Sequence, residues 1–512
     1  MSAQEYGRSR RSGNYSSRRR RRKRINVGRL IILILIIIAM LVGIFLAVRA
    51  IFDLVKGGSG SSGAASSSIE ESTDAAPSES IPVETQPETS APATIKTEVL
   101  DKAEKLSQMY DYDGAIELIQ SEASLGEDAD AQAAISHYEE LKAACVEKDI
   151  TKISHIFFHT LVYDTSKAFD GDSKSTGYNQ VMTTVDEFNK ILQQMYDRGY
   201  VLVRLHDMAY EETGSDGTRT MKAGKILLPE DKTPFVMSQD DVCYYEYMKG
   251  DGMATKMIVG EDGRPTNEYT ESDGSLSVGA YDLVPLLDAF IDEHPDFSYK
   301  GAKAAIAFTG YNGILGYRTD ESYNPSSPRY DSGLADAPNN NIEADRQEAV
   351  KVLKALADDG YELASHSWGH LDMGTISYEK FKTDSDRWDS NVNSLIEEAT
   401  GSSCDIIIYP KGADIGSWQG YSADKINSDG SHENGTQKFN YLYGLGFRYY
   451  CNVDSNQPWV QLGSNYIRQG RLNADGDRMW RDMQNPEKAK LTNFFDVESV
   501  FDSARPTPVP GY

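Results

Sequence analysis

The chain has 512 residues, a net charge of −26 and four cysteines. That length exceeds one ordinary domain. A quarter of the residues are charged, which excludes a multi-pass membrane protein, and so few cysteines exclude a disulfide-stapled scaffold. Residues 1–29 hold eleven Arg and Lys against the single acid Glu5, a net of +10, so the remainder carries −36. So acidic a body makes nucleic acid a poor partner.

Leu30 to Val48 is an uncharged run of 19 residues, LIILILIIIAMLVGIFLAV. At helical rise it spans roughly 28 Å, the thickness of a bilayer's hydrocarbon core. The Arg18–Arg24 cluster before it predicts a cytoplasmic N-terminus. A cleaved signal peptide would have a shorter apolar stretch and a small-x-small site, and neither is present. The reading is a basic cytoplasmic tail (1–29) and a retained single-pass anchor (30–52), with the rest extracytoplasmic. Residues 53–95 follow as a linker. Rich in Gly and Ser, then Ser, Thr, Pro and Glu, they bury no core and are expected to be disordered, with a reach of roughly 35 Å.

A helical period runs from 96 to 148. Val99, Ala103, Leu106 and Tyr110 share one face, and Ile135, Tyr138, Leu141 and Cys145 another. With YDYDGAIELI between them, this resembles little more than one tetratricopeptide repeat, too few to stack as a solenoid. A stalk or adaptor is expected here, with binding of a protein partner as the sharper reading.

From 150 to 505, helices alternate with short apolar strands. Thr184 to Glu187 is a capping box opening a helix through Phe188, Leu192 and Met195 that Gly199 ends. YVLVRL (200–205), FVMS (235–238), AAIAF (304–308), YELAS (361–365), IIIY (406–409) and FRYYCNV (447–453) read as strands. Buried strands separated by amphipathic helices predict an α/β parallel sheet, best closed as a barrel. The chemistry of such barrels sits at the C-terminal strand ends.

Three strand ends stand out. FVMS runs into Gln239, Asp240 and Asp241, YELAS into His366-Ser-Trp-Gly-His370, and IIIY into Pro410-Lys411-Gly412. Neighbouring carboxylates at a strand end point in different directions, so one can ligate a metal while the other stays free as a base. Two His at i and i+4 on a turn can hold one ion, and two His with one carboxylate leave coordination positions open for water, as in a catalytic site. Water on such an ion has a pKa near ~7 and attacks carbonyls. Each piece alone is weak; three in this order at strand ends are not. His155 and His159 have the same spacing, but HIFFHTLV reads as a strand, where four residues span roughly 13 Å. Those two are expected to be structural, with His159 as pocket lining. Cys404 and Cys451 flank core strands as buried thiols, with a bridge between them left open.

These motifs resemble those of the polysaccharide deacetylase (NodB-homology) family, carbohydrate esterase family four. SQDDV (238–242) is similar to that family's TFDDG, HSWGH (366–370) to its HS-x-x-H, and YPKG (409–412) to its R-x-x-P turn. The resemblance covers about 155–480 and implies a distorted (β/α) barrel of the NodB-homology type. It implies a divalent metal, zinc foremost, with cobalt, nickel or manganese as alternatives. Asp241, His366 and His370 would be its ligands and Asp240 the general base. The main chain after Pro410, at Lys411, would bind the oxyanion. Trp459, in a stretch similar to the family's tryptophan motif, would contact substrate. The implied reaction is hydrolysis of N-acetyl or O-acetyl groups on a cell-envelope polysaccharide. The departures are specific. Ile408 stands where the family has its base-orienting Arg, and no His follows His432, so the family's late general acid is absent. Arg468, Arg471 and Asp475 are the candidates to replace the lost groups. The alternative reading is a catalytically weakened barrel that binds glycan or a partner in the wall.

Overall fold

The structure, a computed structural model, describes residues 90–421, 425–426, 432–433, 435–454 and 459–511. The expected basic tail, the apolar run at Leu30–Val48 and most of the linker lie outside the described residues. Among the described residues no helix is long and apolar enough to cross a membrane.

The strand pattern closes into a ring. In chain order the strands are β1 (Ser154–Phe158), β2 (Tyr200–Leu202), β3 (Thr233–Gln239), β4 (Ala305–Phe308), β5 (Glu362–Ser365), β6 (Ile406–Ile408), β7 (Tyr449–Val453) and β8 (Ile467–Asn473). Among the described residues, seven of them pair in parallel around the barrel as β1-β3-β4-β5-β6-β7-β8 and back to β1. The ring is distorted at β3. Its first residues, Thr233–Phe235, pair with β2, and only Ser238 and Gln239 reach β4. The strand expected over 200–205 therefore stays outside the ring and ends at Leu202. The Glu362 carboxylate accepts the Leu205 and His206 N–H groups and starts a helical turn there instead.

Side-chain alternation sorts the two faces. Ile156, Phe235, Met237, Ile306, Phe308, Ile407 and Tyr450 join the core beneath the surrounding helices. These include α4 (Val185–Asp197), α5 (Leu283–Glu293), α6 (Ile342–Asp358) and α7 (Tyr378–Trp388). Val236, Ala305, Ala307, Ala364, Ile406, Ile408, Cys451 and Ile467 form the other apolar cluster, inside the ring. The capping box forms as expected. The Thr184 side chain accepts the Glu187 N–H, and the Glu187 carboxylate accepts the Thr184 N–H.

The helical segment comprises α1 (Ser90–Gln108), α2 (Tyr112–Ser121) and α3 (Ala129–Ala144). Helix α1 starts inside the expected linker. Tyr110 lies past its end, at φ 62, rather than on the helix face. The segment packs on the N-terminal end of the ring. Its buried Ala103, Tyr112, Ala115, Ile119, Ile135 and Tyr138 belong to the same cluster as the barrel interior. The Tyr110 hydroxyl donates to the Asp296 carbonyl at 2.9 Å, and Lys300 N–H donates to Met109 O at 2.7 Å. The segment thus packs against the loop before β4, at the end of the barrel opposite the strand termini that carry the motifs. All four cysteines are free thiols, Cys404 and Cys451 included.

Candidate active site

The alternation that fills the barrel also places its polar column. Val236, Ser238 and Asp240 alternate along β3, and Ile467, Gln469 and Arg471 along β8, while His155 points inward from β1. His155 is fully buried between the Gln469 side chain at 3.0 Å and the Ser238 hydroxyl at 2.8 Å. Burial, aided by the Arg471 charge, pushes its pKa well below the usual histidine value, so it stays neutral and structural. One layer up, Arg471 donates to Ser238 Oγ at 3.1 Å and grips Asp240 with two hydrogen bonds, Nη1 to Oδ1 at 2.7 Å and Nη2 to Oδ2 at 2.9 Å. Of the two candidate arginines, then, Arg471 reaches Asp240. Ile408 lines the barrel interior from β6, and the guanidinium missing there arrives from β8.

Arg468 points the other way along the same strand. It donates to Asp414 Oδ2 at 2.6 Å and to the Ser417 carbonyl at 3.0 Å, with its guanidinium carbon 4.5 Å from the Tyr421 ring and 5.0 Å from the Trp459 ring. It holds the turn after Pro410 and does not face Asp240. Trp459, expected to contact substrate, packs on Arg468 and is not among the residues lining the cavity described below. Asp475 caps the helix Gly476–Gln484 by accepting the Arg478 N–H at 2.7 Å on one oxygen, and its other oxygen accepts from Asn473 Nδ2 at 2.6 Å. It lines the cavity with both oxygens engaged.

Asp241, His366 and His370 converge. One ligand atom from each lies within 4.8 Å of the other two. His366 Nε2 is 3.9 Å from Asp241 Oδ1, and His370 Nε2 is 3.7 Å from Asp241 Oδ2. His366 Nδ1 lies 2.8 Å from the Ile408 carbonyl, which fixes the proton there and leaves Nε2 with its lone pair toward Asp241. Two imidazole nitrogens and an ionised carboxylate suit a divalent ion such as zinc, with open positions remaining. These residues fit the metal that the motifs imply.

The backbone is bent to bring them together. Asp241, Ser367, His370 and Lys411 all lie in the left-handed region, at φ 60, 57, 51 and 58. Each such non-glycine residue costs of order 1–3 kcal/mol and persists only where its surroundings over-determine it. Asp384 on α7 supplies that constraint for the histidine loop, accepting the Trp368 and Gly369 N–H groups at 2.9 and 2.8 Å. Trp368, between the two His, lies under the Arg387 guanidinium and donates to Asp320 at 2.8 Å. At the turn after Pro410, a Cβ on Gly412 would fall 2.4 Å from Val453 Cβ, so only glycine permits that approach.

Burial alone would raise the Asp240 pKa. The Arg471 charge, with His366 beside it, outweighs that and holds the carboxyl well below the usual range. Burial works on Asp241 in the same sense, and His370 and His366 reverse it, leaving Asp241 below its ordinary value. Burial pushes His370 down to about 4 against the pull of Asp241, so it presents a neutral imidazole at pH 7. A cavity of ≈ 470 Å³ opens over the group. Asp240, Asp241, His366, His370, Lys411 and Gly412 line it with His159, Tyr247 and the apolar Val181 and Met182. His159 sits one residue beyond the end of β1, on the same cavity as Asp240, Asp241 and His370. The extended chain between His155 and His159 keeps them on different levels of the barrel, as the strand spacing requires.

Residues 337–430 match the polysaccharide deacetylase family. That stretch of the chain is similar to polysaccharide deacetylases. The matched segment includes His366, His370, Pro410 and Lys411, while Asp240, Asp241 and Arg471 lie outside it. Among solved structures the chain is similar to Streptococcus pyogenes deacetylase PplD in complex with acetate, at 12% identity and a TM-score of 0.32, over 66% of this chain and 98% of that one. No curated protein matches the chain.

Proposed function

We propose that this deacetylase is metal-dependent, anchored in the cell membrane by Leu30–Val48 with its N-terminus cytoplasmic, and that it removes acetyl groups from an extracytoplasmic cell-envelope polysaccharide. The observation that carries the catalytic part is the Asp240–Arg471 pair set beside Asp241, His366 and His370 in one cavity. The anchor and the polymer rest on the sequence: the apolar run, the basic flank and the long Ser/Thr/Pro tether. A protein partner at the helical segment belongs to the same proposal.

When bound, a divalent ion held by Asp241, His366 and His370 would polarise the acetyl carbonyl and acidify water. Asp240, ionised and oriented by both Arg471 nitrogens, takes the proton of the attacking water. The main chain at Lys411 and Gly412 borders the cavity where the carbonyl oxygen gains charge. The leaving amine needs a proton. Asp475 is committed to its cap and Arg471 to Asp240, so the imidazole of His159 is the donor. The weakened-barrel reading rested on the missing arginine and the missing late histidine. Arg471 holding Asp240 and His159 lining the same cavity favour the enzyme over that reading.

The test is acetate release from N-acetylglucosamine oligomers and wall glycan by the full-length protein in detergent, loaded with zinc or cobalt. Release that stops with a chelator, returns with metal and is lost in Asp240→Asn supports the reading. Stoichiometric metal with no release from any acetylated glycan overturns it.

A further inference from the structure

Tyr245 makes a contact that no motif of the chain accounts for. Its hydroxyl lies 2.6 Å from Asp241 Oδ1 and 2.9 Å from Thr309 Oγ1. The phenol is buried, and its ring is held in a stack of three. Tyr247 lies parallel to it at 5.3 Å and 12°, and Tyr311 on it at 5.2 Å and 22°. Thr309 Oγ1 is in turn 2.9 Å from Cys243 Sγ, which ties the contact to the residue two places after Asp241. Asp241 meets this with a left-handed backbone, so its carboxylate is fixed from the main chain and from one oxygen. The other oxygen, Oδ2, is left facing His370 Nε2 at 3.7 Å.

We propose that Tyr245 is a positioning residue for the metal centre: by donating its hydroxyl to Asp241 Oδ1 it fixes the rotation of that carboxylate against His366 and His370. This rests on the reading that Asp241, His366 and His370 bind a divalent ion. A carboxylate with both oxygens free would swing between one- and two-oxygen ligation and would enter the site with more freedom to lose. Outer partners of ligand carboxylates typically contribute 10–100-fold to metal affinity. The stack adds a connection outward. Tyr247 is 52% exposed and lines the cavity, so the ring nearest the solvent is one van der Waals layer from the group that fixes the ligand.

The experiment is metal affinity of full-length Tyr245→Phe in detergent, measured by competition of zinc with a chromophoric chelator, and the absorption spectrum of its cobalt form. Phe keeps the ring and the stack and removes only the oxygen. A melting temperature of the metal-free variant close to wild type shows that the fold is kept. The expected result is zinc affinity weakened about 10-fold or more, with a shifted cobalt band. Wild-type affinity and an unshifted band in Tyr245→Phe overturn the proposal. Absence of metal binding by wild type would instead overturn the metal reading beneath it. If Tyr245→Phe fails to fold, 3-fluorotyrosine introduced at 245 keeps the shape and changes the donor strength. A shifted cobalt band then supports the proposal, and an unshifted one overturns it.

Discussion

Two of the buried arginine–carboxylate pairs among the described residues do opposite things. Arg505 grips Glu187 with Nε to Oε1 and Nη2 to Oε2, both at 2.6 Å, and both side chains are wholly buried. Glu187 also accepts the Thr184 N–H and the Asp502 N–H, so each of its oxygens takes two donors. Asp240 takes two donors in all from Arg471 and faces a cavity beside His366, whose Nε2 is 3.9 Å away. The first carboxylate is saturated and holds the C-terminal strap onto α4. The second has lone pairs left over. Burial and a bidentate arginine are common to both, so neither marks a functional site; unused acceptor capacity facing a cavity does.

Four substitutions would break or sharpen that contrast. Asp240→Asn should lower kcat on an acetylated glycan by about 10²–10⁴-fold, the usual contribution of a general base, with the protein still folded by circular dichroism. Arg471→Met should lower kcat by about 10²-fold or more and also cost ~3–5 kcal/mol, because it leaves Asp240 as an uncompensated buried charge. Chemical denaturation and acetate release measure the two effects. Arg505→Met should show a comparable ~3–5 kcal/mol loss with kcat of the folded fraction within several-fold of wild type. A kcat collapse there would erase the distinction drawn between the pairs. The smallest effect belongs to His206, held between Glu362 and Asp405 at the opposite end of the barrel. Partial desolvation of its half-exposed ring opposes the charged form, but Asp405 and Glu362 outweigh that and raise its pKa well above the usual histidine value. The stabilisation it provides is therefore complete below ~6.5, the unfolded value, and fades as pH rises through the folded pKa. His206→Gln should lower the melting temperature below pH 6.5, and the gap to wild type should narrow as pH climbs.

The convergence of Asp240, Asp241, His366 and His370 on one cavity was legible because strand alternation and the strand-end rule act locally: Val236-Ser238-Asp240 and Ala364-His366 declare an inward face without any partner. The two arginines were not separable in that way. Arg468 and Arg471 lie on opposite faces of β8, and which face meets Asp240 depends on the pairing of β8 with β1 and β7, a long-range fact. Trp459 was misplaced for the same reason, since its stacking on Arg468 follows from where that strand lies. The strand expected at 200–205 was cut short by Glu362, whose carboxylate comes from 157 residues downstream to start a helical turn. Tyr245 carried no motif. Its meaning comes from a left-handed Asp241, which no residue pattern announces.

The closure of the ring has a consequence for synthesis. Its last strand, β8, pairs with its first, β1, and Arg471 is 231 residues downstream of the carboxylate it holds. A ribosome that has made everything up to β7 has delivered both histidines, both aspartates and the Pro410 turn, but no counter-ion for Asp240 and no wall between β7 and β1. A nascent or truncated chain thus holds Asp240 without its guanidinium partner, and it gains that partner only with the segment that seals its barrel. For a chain whose apolar run at Leu30–Val48 is expected to reach the membrane first, the counter-ion of Asp240 is among the last parts made.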